Sequence, residues 1–431
     1  MNRAWTAVVL TIVVTAPATP QGAGARATAD WPSWRGPKRD ALSPDTALLK
    51  SWKPEGPPLA FKASGLGGGF SSVAVAGGRI YTLGDKDGSQ HLLALDGKDG
   101  KTLWTARVGA PWVDQYGGPR GTPTVDGDSV YAVGTEGDLV CVEAATGKER
   151  WRRNLATDFG GQVMSIWKYS ESPLVDGDRV IVTPGAERAL MVALDKRTGK
   201  EIWHTYPERA LGTKGKDGAG YSSVVISNGA GVKQYVQLTG RGLVGVRASD
   251  GRLLWNYNPV ANDVANISTP VIKGDHVFAS TGYGTGAVLL KLEPSSAGGV
   301  DAKEVYFLDA KVFQNHHGGF VLVGDHIYGG HGHNKGFPIC VEMATGKVVW
   351  GGDTRNAGTG SAAVVYADGN MYFRYQNGLV VLIEATPTGY SEKGSFSIPG
   401  VANPSWPHPV VVGGRLYLRE QDNLYVYDVK A

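Results

Sequence analysis

The 431-residue chain is predicted to be all-β, an eight-bladed β-propeller of four-stranded blades whose ring is closed by an N-terminal strand. Three observations carry this. A unit ending in an aromatic residue recurs at 61, 104, 151, 203, 255, 306, 350 and 396, spacings that suit four short strands and their turns. Glycine is abundant, at 62 residues, and falls in turn motifs such as Asp126-Gly127-Asp128 and Thr146-Gly147-Lys148, where a positive φ closes a hairpin without steric cost. Finally, the last unit stops one strand short, and a spare strand-like segment precedes the first.

Each unit reads the same way in order. Strand A follows a Ser/Thr-Pro or Ser-Ser start, as at Thr122-Pro123 and Ser172-Pro173. A tight turn leads to strand B with a Val/Ile-Tyr pair, as at Val130-Tyr131 and Ile327-Tyr328. A variable loop reaches strand C, and a Thr-Gly-Lys turn leads to strand D. The strands are apolar on successive residues, which suits sheets covered on both faces by neighbouring blades. Seven units are complete. The eighth, after Pro407, supplies strands A to C, and residues 58–62 offer its fourth strand, hiding edges that would otherwise promote aggregation. The organisation expected is a leader and linker at 1–29, an arm packed on the propeller at 30–54, and the propeller at 55–431.

The leader is read from Arg3 and the apolar run Ala4 to Ala16, which is too short to span a bilayer, followed by small-residue cleavage sites ending at Ala25, Ala27 or Ala29. The expectation is a periplasmic or secreted protein with its leader cleaved. No cysteine stands near those sites to accept a lipid, and no later stretch reads as transmembrane. The net charge of +3 includes Arg3 and Arg26, so a mature chain near neutrality offers no footprint for nucleic acid. Cys141 and Cys340 hold the same strand-C position in blades 2 and 6, half a turn apart. That is too far for a disulfide, which needs Cα atoms within about 7 Å. The chain is expected to be a monomer.

The Ala-x-Asp-x-x-Thr-Gly-Lys-x-x-Trp pattern, as at Ala94 to Trp104 and Ala193 to Trp203, resembles the pyrroloquinoline quinone repeat. That repeat builds the propellers of quinoprotein alcohol dehydrogenases and of the lipoprotein in the outer-membrane β-barrel assembly machinery. The resemblance covers roughly residues 55 to 431. It implies that Trp104, Trp151, Trp203, Trp255 and Trp350 pack between blades. The dehydrogenases' adjacent cysteine pair has no counterpart here, which argues against pyrroloquinoline quinone with calcium as a cofactor. The lipoprotein's lipid-bearing cysteine has none either.

Chemistry is expected on the face formed by the D-to-A and B-to-C loops, which are long and varied, and not on the short opposite turns. Blade 6 places His316 and His317 in one such loop and His331 and His333 in the other. These are candidates for a transition-metal site or a general base. Candidate ligand contacts are Arg120, Tyr169, Glu171, Tyr221, Arg374, His408 and Arg419, with Trp112, Trp167, Tyr283 and Trp406 on the same face. Aromatic rings beside Arg, Glu and His suit a polar ligand such as a sugar or carboxylate. Three functions follow: a binding scaffold for a protein or glycan partner, a quinone-dependent oxidoreductase, or a histidine-based lyase or hydrolase. The tryptophan-rich segment Trp31 to Pro37 is expected to pack on the propeller, and nothing in the sequence gives it a ligand role.

Overall fold

The computed structural model describes residue 1 and residues 30–296, 299–402 and 404–431, so the leader predicted at 1–29 lies outside the described residues. Eight antiparallel sheets run round the ring, strands A to D in order within each blade. In blade 2 these are Thr124–Asp126, Ser129–Val133, Asp138–Glu143 and Glu149–Asn154. Strand B there is buried along its whole length, as expected when blades cover both faces. Blade 8 takes Val410–Val412, Arg415–Glu420 and Asn423–Asp428 from the C-terminus and Leu59–Ala63 from the N-terminus, so the N-terminal strand closes the ring.

The repeated residues have visible jobs between blades. Trp104 donates its indole N–H to the Ala144 carbonyl of the next blade at 3.1 Å, and Trp151 and Trp350 do the same to Lys196 and Thr386. Tyr306 takes this place in blade 5 with its hydroxyl on Met343. Trp203 packs on Tyr235 of blade 4 without a partner for its N–H. Trp255 is turned back on Gln234 of its own blade, at 2.6 Å. The glycine of each Thr-Gly-Lys turn accepts the preceding ring: a Cβ on Gly147, already at φ +74°, would lie 2.5 Å from Trp104 Cε3. Serines at the start of strand A tie blades together nearer the axis. Ser172 Oγ accepts from Thr122 N–H and Ser223 Oγ from Ser172 N–H.

The arm does not lie only on the outside of the ring. Its first part, to Ser43, fills the central channel, and the rest runs out beside blades 7 and 8 to Trp52, which packs on Phe396 in the outer strand of blade 7, so that the arm touches every blade. Trp31 pairs with Val75 in blade 1, and the Pro32 carbonyl accepts from Val125 in blade 2. Arg39 donates to Ser172 and Pro173 in blade 3 and to Val224 in blade 4. Trp34 reaches Thr269 in blade 5 and Arg35 the Phe320 carbonyl in blade 6. Leu42–Ser43 adds a fifth, parallel strand inside blade 7, and Leu48 bridges to Lys430 beside blade 8. Four arm residues that are not glycine, Arg35, Arg39, Ala41 and Ala47, sit at φ near +60°. Such backbone persists only where its surroundings hold it.

Cys141 and Cys340 are both free and buried, and burial pushes the Cys340 thiol up to about 11. Neither thiolate is accessible at neutral pH, so alkylation should label no cysteine in the native protein and two after denaturation, with or without prior reduction. A mass unchanged by denaturing alkylation until reductant is added would contradict this.

Candidate functional site

The end of the channel bearing the D-to-A and B-to-C loops opens into a cavity of about 170 Å³. The arm makes its floor with Trp34 and Arg35, and the loops of the blades make its walls. Aromatic rings dominate the walls: Phe70, Trp167, Tyr221, Tyr283 and Trp406. Serines 170, 172, 223 and 268 add hydroxyls. Among the described residues, no Asp or Glu lines it.

Blade 6 delivers two histidines through a loop clamped by Asn315, which is 1% exposed. Asn315 Nδ2 donates to the Gly319 and Gly330 carbonyls, and its Oδ1 accepts from Gly319 N–H and Ser268 Oγ. The next two side chains are thereby turned into the cavity. His316 Nε2 lies 3.0 Å from the Tyr283 hydroxyl and its Nδ1 2.7 Å from Ser361 Oγ. Asn334 Oδ1 accepts both the hydroxyl and the backbone N–H of Ser361. The Ser361 oxygen therefore takes the His316 Nδ1 proton, and the bare Nε2 accepts from Tyr283. A continuous chain of hydrogen bonds, Tyr283 to His316 to Ser361 to Asn334, runs from the cavity into the loops.

His333 completes the stack. Its ring centroid is 4.2 Å from that of His316 and 4.4 Å from that of Tyr283, and its Nδ1 accepts from the Tyr283 backbone N–H. Tyr283 and His333 both hold φ above +50°, costly for bulky side chains and found mostly where function or packing requires it. Burial, then the neighbouring His333, pushes His316 down to about 3, and burial raises the Tyr283 phenol. Both groups are neutral at neutral pH. His408 donates Nε2–H to the His317 carbonyl at 3.0 Å, leaving its Nδ1 lone pair buried and unpartnered. His317 Nε2 is likewise unpartnered.

Two guanidinium groups face this neutral cluster. Arg35, 3% exposed, is fixed by the Arg39, Asp40 and Phe320 carbonyls, and its Nη1 has no partner. Arg120 donates to Tyr116 and Gly118 carbonyls and lies over the rings of Trp112 and Phe70. Burial lowers each only to about 10, so both stay charged, and neither forms an ion pair among the described residues. The cavity therefore presents positive charge that its own walls do not neutralise.

The remaining candidates sit elsewhere. Tyr169 donates to the Pro184 carbonyl inside blade 3. Glu171, 2% exposed, accepts from Thr183 and Gln237, and burial pushes it up to about 7. Arg374 is fully buried in an ion pair with Glu420 at 2.8 Å, and Arg419 bonds the Leu66 and Gly67 carbonyls. Glu171, Arg374 and Arg419 thus tie neighbouring blades together. His331 accepts from Gln314 N–H beside Phe313, away from the cavity. The four blade 6 histidines thus divide: His316 and His317 line the cavity, His333 stacks on His316, and His331 lies apart. No group of three or more His, Cys, Asp or Glu among the described residues is disposed to hold a metal ion. Calcium, which takes six to eight oxygen ligands, finds no carboxylate in the lining. Trp34, Arg35, Phe70 and the lining serines are site residues that sequence reading passed over.

The fold is a propeller of the quinoprotein-repeat class with a cavity at one end of its channel. A family profile described as outer membrane protein assembly factor BamB matches residues 89–352, and the chain belongs to that family. Among curated relatives, quinohemoprotein alcohol dehydrogenase ADH IIB of Pseudomonas putida is 27% identical over 48% of this chain and 30% of its own length. The assembly factor BamB of Kangiella koreensis is 25% identical over 50% of this chain and 49% of its own. The matched stretch is thus less than half of either relative. Among solved structures, BamB of Moraxella catarrhalis superposes with a TM-score of 0.56 at 16% identity, covering 83% of this chain and 94% of that one. Quinohemoprotein alcohol dehydrogenase of Comamonas testosteroni gives 0.64 at 14% identity, covering 95% and 82%. At such identities these structures speak for the fold alone.

Proposed function

We propose that this protein is an exported propeller that binds a small, ring-bearing anion in its axial cavity. The observation that carries it is the pair of guanidinium groups without an ion pair among the described residues, Arg35 and Arg120, on an aromatic-walled cavity without a lining carboxylate, with Asp40 and Asp114 acting on them only through space. Buried, unpaired polar atoms are rare in native structures, and three of them, Arg35 Nη1, His317 Nε2 and His408 Nδ1, belong to residues of this one lining. A cavity of about 170 Å³ is below the ~300–1,000 Å³ of drug-sized ligands, which favours a single ring such as a sugar acid over a fused tricyclic quinone. Export is supported by the leader pattern at 1–29, and no helix among the described residues is long and apolar enough to cross a membrane.

Calorimetric titration with sugar acids, simple aromatic carboxylates, phosphate and pyrroloquinoline quinone tests this. A sugar acid or aromatic carboxylate should bind, and Arg120→Gln should weaken it at least ~10-fold, the loss of one charged hydrogen bond. Failure of every anion to bind, or binding indifferent to Arg120, would sink the proposal.

A protein partner at the same mouth is the second reading. Val113 and Ile166, 89% and 73% exposed, stand on loops beside Trp112 and Trp167, and the family's description as an assembly factor points the same way.

A further inference from the structure

We propose that the hydrogen-bonded pair Tyr283–His316 makes this cavity a β-eliminating site, whose substrate is a uronate-type sugar acid bearing an oxygen substituent β to its carboxylate. The inference rests on the anion-binding reading above and adds chemistry to it. Removing a proton α to a carboxylate has two requirements. The carboxylate charge must be neutralised, or the carbanion-like transition state carries two negative charges on adjacent atoms. A neutral base must also reach the carbon-bound proton with an acid at hand for the leaving oxygen.

Both requirements meet in one lining. Arg35, immobilised by three carbonyls on the cavity lining, is a preorganised cation whose charge faces the carboxylate. The Tyr283 hydroxyl lies 3.0 Å from His316 Nε2, and the imidazole is held in the tautomer that leaves that nitrogen bare. The imidazole starts neutral with Nε2 bare, and because burial disfavours its charged form it holds the Tyr283 proton only transiently before returning it. Trp34, Trp167 and Trp406 offer faces for the ring, and the lining serines offer partners for its hydroxyls.

The step balances without a co-reactant. The α-proton passes to Tyr283 Oη as the phenolic proton moves to His316 Nε2. The C–H electron pair becomes the new C=C bond, and the bond from the β-carbon to its oxygen substituent breaks with its pair on oxygen. Tyr283 then protonates that oxygen and recovers its proton from His316. The enzyme returns to its starting state, and the products are an α,β-unsaturated uronate and a free hydroxyl.

The test incubates the purified full chain with galacturonate, mannuronate and glucuronate oligomers. It follows the ultraviolet absorbance of the conjugated acid, exchange of the α-proton in deuterated water, and binding by calorimetry. The expected result is an unsaturated product from at least one oligomer. Tyr283→Phe should keep binding within ~3-fold while lowering turnover at least ~100-fold, the usual contribution of a general acid–base group. His316→Gln should do the same. An oligomer that binds at the Arg120-dependent site with neither product nor exchange overturns the elimination and leaves the binding reading standing. Turnover that survives Tyr283→Phe also overturns it. Absence of binding by any anion removes both.

Discussion

Acidification from pH 7 to pH 4.5 is expected to cost this propeller about 3 kcal/mol of stability, and a bound anion is expected to restore part of it. The cause is the cluster of neutral imidazoles at the mouth. His316 and His408 are held at about 3 and His317 is held well below its ordinary value, in each case first by burial. In the unfolded chain the same rings titrate near 6.5. Between those values the unfolded state binds protons that the native state refuses, so their contribution is complete above about 6.5 and is lost as pH falls. Each unit is worth about 1.4 kcal/mol. Glu171 acts in the opposite sense. Its native carboxyl is pushed up to about 7, above the unfolded value near 4.5, so its contribution is complete below about 4.5 and is lost as pH rises to 7. From pH 6.5 to 4.5 His316 and His408 each lose about 2.7 kcal/mol, Glu171 returns about as much as one of them, and the remainder is ~3 kcal/mol, with His317 acting in the same direction. Urea midpoints measured at pH 4.5, 5.5, 6.5 and 7.5 check the slope. Glu171→Gln should steepen it, and a saturating anion should flatten it by raising the imidazole pKa values. A midpoint that rises on acidification would contradict the assignment of these rings as buried and neutral.

The ring was legible because the repeat writes each blade's structure into its own residues. The Trp that ends one blade and the Gly that starts strand D of the next meet in space, so their spacing in sequence is the geometry of docking. The missing strand of blade 8 was legible for the same reason. The channel filling was not. Residues 30–49 belong to no repeat, and their meaning lies in contacts hundreds of positions away, as with Trp34 to Thr269 and Arg35 to Phe320. Loop polarity pointed to the face that carries the cavity, and Arg120, Tyr221, His316, His317 and His408 line it. It did not separate side chains that face the cavity from those that turn between blades. Arg374 and Glu420 show why: each lies in the last two residues of a strand B, where one step of register exchanges cavity for interblade interior. His331 likewise ends its strand and points to Phe313, while His333, two residues on, is carried to Tyr283 by a left-handed backbone step.

Arg39→Ala is expected to lower stability by about 3 kcal/mol and to loosen the arm at the same time. Arg39 is 4% exposed, and burial lowers its guanidinium only to about 10, so it is a charged group sealed in the channel. Its Nη1 donates to Val224 and its Nη2 to Ser172 and Pro173, all backbone carbonyls at the inner ends of blades 3 and 4. Among the described residues it has no ion-pair partner, and Glu171 acts on it only through space. Carbonyl dipoles therefore solvate this cation, and truncation strands them. Removing the charge returns its desolvation cost, which alone would favour the variant. Three abandoned acceptors at ~1–3 kcal/mol each outweigh that return. Lysine is no substitute, because one ammonium on a flexible stem does not reproduce the planar fork that spans two blades. Arg39→Lys should therefore recover less than half of the loss. The site feels the change through Arg35, four residues away on the same arm, whose Nε donates to the Arg39 carbonyl. Anion affinity should fall with Arg39→Ala although Arg39 does not line the cavity, and hydrogen exchange at residues 31–49 should quicken more than in the strands of blades 3 and 4. If denaturant midpoint, arm exchange and anion affinity all stay at wild-type values, the arm is not what holds the floor of the site.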